Sequence, residues 1–407
     1  MTSRYNTALG ALLLGCTVLT HTAAQAEMSG NVIKIGVMSD QSGPYSDNIG
    51  PGAVEAARMA VEAFGGEING AKIELVIADD QNKPDIGVSI AQKWVETEGV
   101  DAIVGGSASS IALAIQKLMA ERQKPYMIAG SASSALTNDA CSPYGTFWVM
   151  DTYGTSKGIV NSMLAQGNDT FYFITVDYNF GKALQADATR FIEEGGGKVL
   201  GSSMHPLNAT DFSSQLLQAQ ASGAKVIVMA NAGNDFANAM KQAQEFGIVA
   251  GGQKVVTMLM SLNGTHSIGL QNLQGMSIVT TSYWDVDDET RAFAEAYRKR
   301  FRDRTPNEAA TGTYSAVHHY LTAVKMAGTD DGPTIAKKMR EIPVNDFQLK
   351  NVQIREDGQV MRPMLTVTIK NKDESKAPYD YYTVTGSLKP EDVWRPVSES
   401  TCALFKS

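Results

Sequence analysis

Cysteine, histidine, positive charge and long apolar runs are all scarce in this chain. It has three cysteines and five histidines in 407 residues. No histidine lies near Cys141 or Cys402 in sequence, which argues against a thiol–imidazole nucleophile. His318 and His319 are adjacent, and neighbours on one helix point about 100° apart, so they do not face one metal. No metal set and no cofactor are expected. There is no Gly-Lys-Ser/Thr after a glycine run, no G-x-G-x-x-G and no G-x-S-x-G. With no acid–base pair in view, the chain does not read as an enzyme. Lys and Arg number 35 against 43 Asp and Glu, a formal charge of −8. Without a basic stripe to neutralise phosphates, nucleic acid is excluded as a partner. Past the N-terminus, no stretch approaches the roughly 20 apolar residues of a membrane helix.

The first thirty residues carry a positive Arg4, an apolar run from Ala8 to Leu19 and a small-x-small site at Ala24-Gln25-Ala26. That is the pattern of a cleaved secretory signal peptide over residues 1–26. Leu13-Leu14-Gly15-Cys16 also fits a lipoprotein box, but the apolar run continues past Cys16 and a good cleavage site follows. The mature chain is expected to begin near Glu27 as a soluble exported protein. Losing Arg4 makes its charge −9. Cys141 and Cys402 then stand in an oxidising compartment, where a disulfide is the simplest state. It would pin the C-terminal tail onto the first third of the chain; two free thiols are the alternative.

The hydrophobic fraction of 43% supports a real core. From Asn31, apolar strands alternate with amphipathic helices. Val32 to Val37 reads as a strand, then Pro51 to Phe64 as a helix closed by Gly65-Gly66. Ile73 to Ala78, Ala102 to Val104 and Tyr126 to Ala129 are further strands. Asp85 is read as a helix cap. The rhythm restarts at Phe171 to Val176 and runs to Val255 to Met258. Two successive α/β units imply parallel sheets covered on both faces. Val352 to Ile369 reads as a hairpin around Glu356-Asp357-Gly358, and the tail from Tyr379 as irregular.

Ligands of open parallel sheets bind beyond the carboxyl ends of the strands. The segments there are Ser39 to Tyr45, Gly105 to Ser110 and Gly130 to Thr137. They are small, hydroxylated and without Lys or Arg. Each opens or nears a helix N-terminus, where free N–H groups attract an anion. A carboxylate is favoured over phosphate because no P-loop is present. The paired acids Asp79-Asp80 read as caps or solvent-facing groups.

These loops resemble those of periplasmic ligand-binding proteins of ABC importers, the leucine/isoleucine/valine-binding (branched-chain amino acid) type. The resemblance rests on Ile35-Gly36-Val37 leading to Ser42-Gly43-Pro44, then Asp79-Asp80, Ile103-Val104-Gly105 and Tyr314-Ser315-Ala316-Val317. It implies the type I fold: two doubly wound parallel-sheet lobes joined by a three-crossover hinge. The lobes would be 27–148 plus 284–349 and 149–283 plus 350–390, with a tail at 391–407. Crossovers are expected near Phe147 to Tyr153, Ser277 to Tyr283 and Phe347 to Val352.

In that family a serine after the third strand and a small-small-Thr segment after the fourth hold the ligand carboxylate. Here these are Ser109, and Ser131, Ala132 and Ser133. An aromatic of the second lobe matches Phe180. Asn231 to Asn234 matches a second contact segment. The family's amino-acid binders carry an acid after the strand matching Val255-Val256-Thr257. This chain has Met258-Leu259-Met260 there, so an unpaired ammonium would be costly. The expected ligand-binding set is Ser42, Tyr45, Ser107, Ser109, Ser110, Ser131, Ala132, Ser133, Phe180, Asn231, Asn234, Met258, Met260 and Tyr283. The expected solute is a small carboxylate with an aromatic or apolar body, delivered as a monomer's cargo to an importer permease in the periplasm. Asp177 or Asp285 could supply the missing acid, which would restore an amino acid as the solute. A sensor feeding a membrane receptor is the third reading. The sequons at Asn168, Asn208 and Asn263 are coincidental in a bacterial chain.

Overall fold

The computed structural model describes residues 1–2 and 28–406, so the signal peptide and Cys16 lie outside the described residues. The chain begins with β1 (Val32–Ser39), α1 (Ser46–Ile49), α2 (Pro51–Glu62), β2 (Glu67–Ile68), β3 (Ala71–Asp79), α3 (Pro84–Glu96), β4 (Ala102–Gly105), α4 (Ser109–Glu121), β5 (Tyr126–Ile128) and β6 (Gly145–Phe147). Next come α5 (Thr152–Ala165), β7 (Thr170–Val176), α6 (Asn179–Glu194), β8 (Lys198–His205), α7 (Ser213–Ala221), β9 (Val226–Ala230), α8 (Gly233–Glu245), β10 (Lys254–Thr257), α9 (Leu262–Ile268) and α10 (Leu270–Leu273). The chain ends with β11 (Ser277–Thr280), α11 (Asp288–Arg300), α12 (Glu308–Ala327), α13 (Gly332–Glu341), β12 (Met364–Ile369) and β13 (Tyr382–Leu388), followed by short helical turns.

The first sheet has the order β2-β3-β1-β4-β5-β6 and is parallel except for β2. The second, β10-β9-β7-β8, is wholly parallel. Val226 to Ala230 is buried at every position, as a central strand covered on both faces must be. In the first sheet Ile33, Ile35 and Val37 pack with Val317, Tyr320 and Val324 of α12. That helix starts at Asn307, whose side chain accepts from Ala310 N, and stops at Gly328 in the left-handed region.

Three details depart from the sequence reading. Lys83, not Asp85, takes the cap position of α3, because Pro84 fits the first helical turn. Ile354 and Val360 do bridge around Gly358, but Met364–Ile369 pairs instead with β11 and β13. Residues from Tyr382, expected to be irregular, supply that third strand.

Three passages join the half of the chain around the first sheet to the rest: 148–151 leads toward the second sheet, 281–287 returns from the antiparallel sheet β11-β12-β13, and the segment after Val360 runs back into that antiparallel sheet. The last is later than the Phe347 to Val352 expected, since Leu349, Val352, Ile354 and Val360 belong to the core around β1. Trp394 sits where the passages converge. It packs with Met150, Val279 and Met364, and its Nε1 donates to Arg362 O at 2.8 Å. The C-terminal tail is therefore built into the junction. Cys141 and Cys402 form the disulfide that holds its end, 261 residues apart in sequence.

Candidate functional site

A cavity opens between the two parallel sheets, at the carboxyl ends of their strands. It holds about 810 Å³ of empty space, the mouth open to solvent included. Its first wall is made by the segments after β4 and β5. Gly105 has φ of 112°, and a Cβ there would lie 2.0 Å from Met38 O, so only glycine makes this turn. The turn presents Ser107 and the N-terminus of α4. Ala108 caps that helix without a side-chain hydrogen bond, so its first N–H groups are left for another acceptor. A Cβ on Gly130 would meet Gly106 O at 2.7 Å; this close packing brings Ser131 beside Ser109. The Ser131 hydroxyl donates to Ser109 Oγ at 3.3 Å.

Three aspartates set these loops. Asp40 accepts from Gly43 N and from Tyr45 N, holding Tyr45 at the cavity. Asp79 accepts from Gln41 N and from Ser42 Oγ. Asp80 accepts from Asn82 N, Ser107 N and Ser107 Oγ. Burial raises the Asp80 carboxyl above its ordinary range, partly offset by the Ser107 hydroxyl. Asp80 is fully buried, which corrects its reading as a solvent-facing group, whereas Asp79 is partly exposed and caps backbone N–H groups as expected.

The facing wall is apolar and aromatic. Tyr178 and Phe180 at the start of α6, Phe236 of α8, and Leu259 and Met260 after β10 line it. The walls are joined over the cavity. The Tyr45 and Tyr178 hydroxyls meet at 2.8 Å, Ser261 Oγ donates to Asn48 Oδ1 at 2.6 Å, and Asn263 Nδ2 donates to Asp47 O.

Of the sequence-derived set, Tyr45, Ser107, Ser109, Ser131, Ala132, Phe180 and Met260 line the cavity. The others fall outside the lining. Ser42 is exposed and bonded to Asp79. Ser110 is one position round the helix from Ser109. Ser133 caps a short 3-10 turn, accepting from Ala135 N. Asn231 is buried against His205 Nε2 at 3.0 Å, and Asn234 is exposed. Met258 sulfur accepts from Ser156 Oγ, and Tyr283 packs on Tyr382.

Sequence reasoning missed Tyr178, Asn48, Asn307 and, above all, Glu308. Glu308 opens α12, lines the cavity and is 4% exposed. Its carboxylate accepts from Thr280 Oγ1 at 2.8 Å and from Leu262 N at 3.4 Å. Burial pushes it up to about 7. The expectation of a site without an acid is thereby corrected, because a distant segment supplies one. Asp177 and Asp285 do not supply it: they pair with Lys182 and Arg291 on the surface.

A family model described as periplasmic binding protein matches residues 32–375. A crystal structure of a periplasmic binding protein from Burkholderia mallei is 40% identical, with a TM-score of 0.90, covering 92% of this chain and 99% of that one. A branched chain amino acid ABC transporter periplasmic ligand-binding protein from Burkholderia xenovorans LB400 is 36% identical, with a TM-score of 0.82, covering 92% and 100%. The Leu/Ile/Val-binding protein homolog 1 of Brucella abortus (strain 2308) is 26% identical over 76% of this chain and 82% of its own. Fold, cleft and relatives agree: the chain belongs to the periplasmic binding protein family, the solute-binding components of ABC transporters, alongside the Leu/Ile/Val-binding proteins.

Proposed function

We propose that the protein captures a small carboxylate-bearing solute with an apolar or aromatic body and hands it to an importer permease. The observation that carries this reading is the first wall. The N-terminus of α4 has no side-chain cap, and Ser109 and Ser131 stand together beside it. An anion there meets backbone N–H groups, the positive end of the helix and two hydroxyls. The body of the solute would lie against Tyr45, Phe180, Phe236 and Met260, whose burial excludes water. The protein works as a monomer, exported by cleavage after Ala26. One lobe holds 27–148 with 284–360, the other 149–283 with 361–390. Closure about the three passages traps the solute and forms the surface offered to the permease.

A thermal-shift screen of the mature protein tests this, with aromatic acids, aliphatic acids, branched amino acids and short amides. A ligand at 100 times its Kd stabilises by about 2.7 kcal/mol. Shifts from carboxylates and none from the matching amides are expected. Equal shifts from acids and amides overturn the reading.

A further inference from the structure

Past Trp394 the tail crosses from one half of the molecule to the other. Its first contacts are with the helices that flank the second sheet. Arg395 pairs with Asp187 of α6 at 3.2 Å. Glu399 accepts from Tyr153 Oη of α5 at 2.9 Å and pairs with Arg190 of α6. Its last contacts are with the segment between β5 and β6 of the first sheet. Ser400 Oγ and Thr401 N donate to Asn138 Oδ1 at 3.3 and 2.8 Å, and Cys402 is bonded to Cys141. Trp394 fixes the near end at the junction of the passages. The tail is thus a further connection between the halves, closed by a bond that a thiol can undo without cutting the chain.

This strap lies over a polar joint. Asp187 Oδ2 accepts from Ser134 Oγ at 2.7 Å and from Thr152 Oγ1 at 2.6 Å, while Oδ1 takes Arg395. Ser134 follows β5, Thr152 opens α5 and Asp187 sits on α6. One carboxylate therefore ties the segment that continues from Ser131 and Ala132 of the cavity to the opposite half. The Arg395 and Asp187 side chains are each 12% exposed. Swinging the halves apart separates Ser134 from Asp187, and a nearly buried ion pair that loses its other partners is costly. The disulfide holds the tail, and with it Arg395, on the joint. With the disulfide open, the far end keeps only non-covalent contacts.

We propose that the tail is a redox-releasable strap. With Cys141 and Cys402 bonded it restrains opening of the cleft, and reduction by a dithiol lets the ligand-free protein open further. This goes beyond solute capture: it rests on closure about the three passages and not on what the solute is. A more open resting state leaves less of the binding-competent form and weakens capture. Cys402 is fully buried and Cys141 half-buried, so the dithiol attacks the Cys141 sulfur. A mixed disulfide forms there as the Cys402 thiolate leaves and takes a proton. The second thiol of the reagent then closes on the first and releases the Cys141 thiol. Two electrons and two protons pass to the protein, and the dithiol ends as its own disulfide.

The test uses the mature, ligand-free protein with and without dithiothreitol. Alkylation by iodoacetamide should count no thiols per chain before reduction and about two after. Reduction should raise the radius of gyration in small-angle scattering. It should also speed amide exchange at Leu262, whose N–H donates to Glu308 across the cleft. The expected gain is about fivefold, the factor for one hydrogen bond lost from the closed state. The double variant Cys141→Ser with Cys402→Ser should show the reduced values whether or not the reagent is added. A disulfide that survives the reagent in the folded protein overturns the inference. So do reduced and double-serine proteins that keep the wild-type radius and the wild-type exchange at Leu262, with faster exchange confined to residues beyond Trp394. Solute capture would stand in either case, since no solute enters the measurement.

Discussion

The hydroxyls of Tyr45 and Tyr178 meet at 2.8 Å across the mouth of the cavity. Tyr45 follows β1 and is held by Asp40, while Tyr178 follows β7. The contact therefore ties the two parallel sheets together directly over the site. Burial holds both phenols well above their ordinary range, so both stay neutral and one donates to the other. Tyr178→Phe removes this tie and leaves the buried Tyr45 hydroxyl without it. A neutral hydrogen bond is worth about 1 kcal/mol. We expect an affinity loss of about fivefold by calorimetry. Small-angle scattering of the ligand-free variant should give a larger radius of gyration than the wild type.

Ser109 and Ser131 form the second prediction. Each hydroxyl is well placed to donate to a carboxylate, and hydrogen bonds to charged groups are worth about 1.5–3 kcal/mol. Ser131→Ala should weaken binding of an acid by about tenfold or more, while lowering unfolding stability by only about 1 kcal/mol, the worth of its buried hydrogen bond to Ser109. The two hydroxyls also touch each other. The double variant should therefore lose less than the two single losses multiplied, since neighbours couple. Losses that multiply in full would mean that the two serines act independently.

The strand–helix alternation was legible because buried parallel strands are apolar at every position, as Val226 to Ala230 is. The serine loops were legible because each follows such a strand. What escaped was set by contacts distant in sequence. Tyr382–Leu388 alternates weakly and is largely exposed, so nothing local marks it as a strand; its pairing with β12 does. Asp80 looks like a solvent-facing acid until Ser107 closes over it. Glu308 looks like an ordinary acidic first-turn residue of an exposed helix. Only the fold brings it into one cavity with Ser109, nearly 200 residues earlier in the chain. Ser110 and Ser133 were grouped with their neighbours because a loop of small residues does not reveal which hydroxyl turns inward.

The disulfide closes a loop of 261 residues. It fixes a tail that also bonds to the helices around the second sheet. Glu399 accepts from Tyr153 Oη at 2.9 Å and pairs with Arg190, and Arg395 lies over the Tyr153 ring while reaching Asp187 at 3.2 Å. Replacing both cysteines by serine should cost about 2–5 kcal/mol in denaturant unfolding. Limited proteolysis should then remove residues beyond Trp394 before it cuts the sheets. Trp394 itself stays anchored at the junction of the passages, so an intact tail under proteolysis would mean that packing alone holds it.

Glu308 also makes a pH prediction. Its carboxyl is raised by burial from an ordinary 4.5 to about 7 in the folded protein. Below pH 4.5 both the folded and the unfolded chains hold the proton, and Glu308 costs nothing. Between 4.5 and 7 the unfolded chain releases it first, so stability falls as pH rises. Above 7 the cost is complete, about 3 kcal/mol for a shift of this size. Asp151, pushed up to about 7, and Asp235, to about 6, act with the same sign. The buried histidines oppose it over part of the window: His319, pushed down to about 4, favours the fold as pH rises toward 6.5. The total curve therefore mixes signs, and the useful quantity is the difference between wild type and Glu308→Gln. Glutamine does not titrate, and a small part of the cost is already present at pH 5, so the variant should gain on the wild type by about 2 kcal/mol between pH 5 and pH 8. Urea unfolding at the two pH values measures it, with no ligand present. A difference that stays constant with pH would show that Glu308 is already ionised at pH 5, held by its partners in the folded chain.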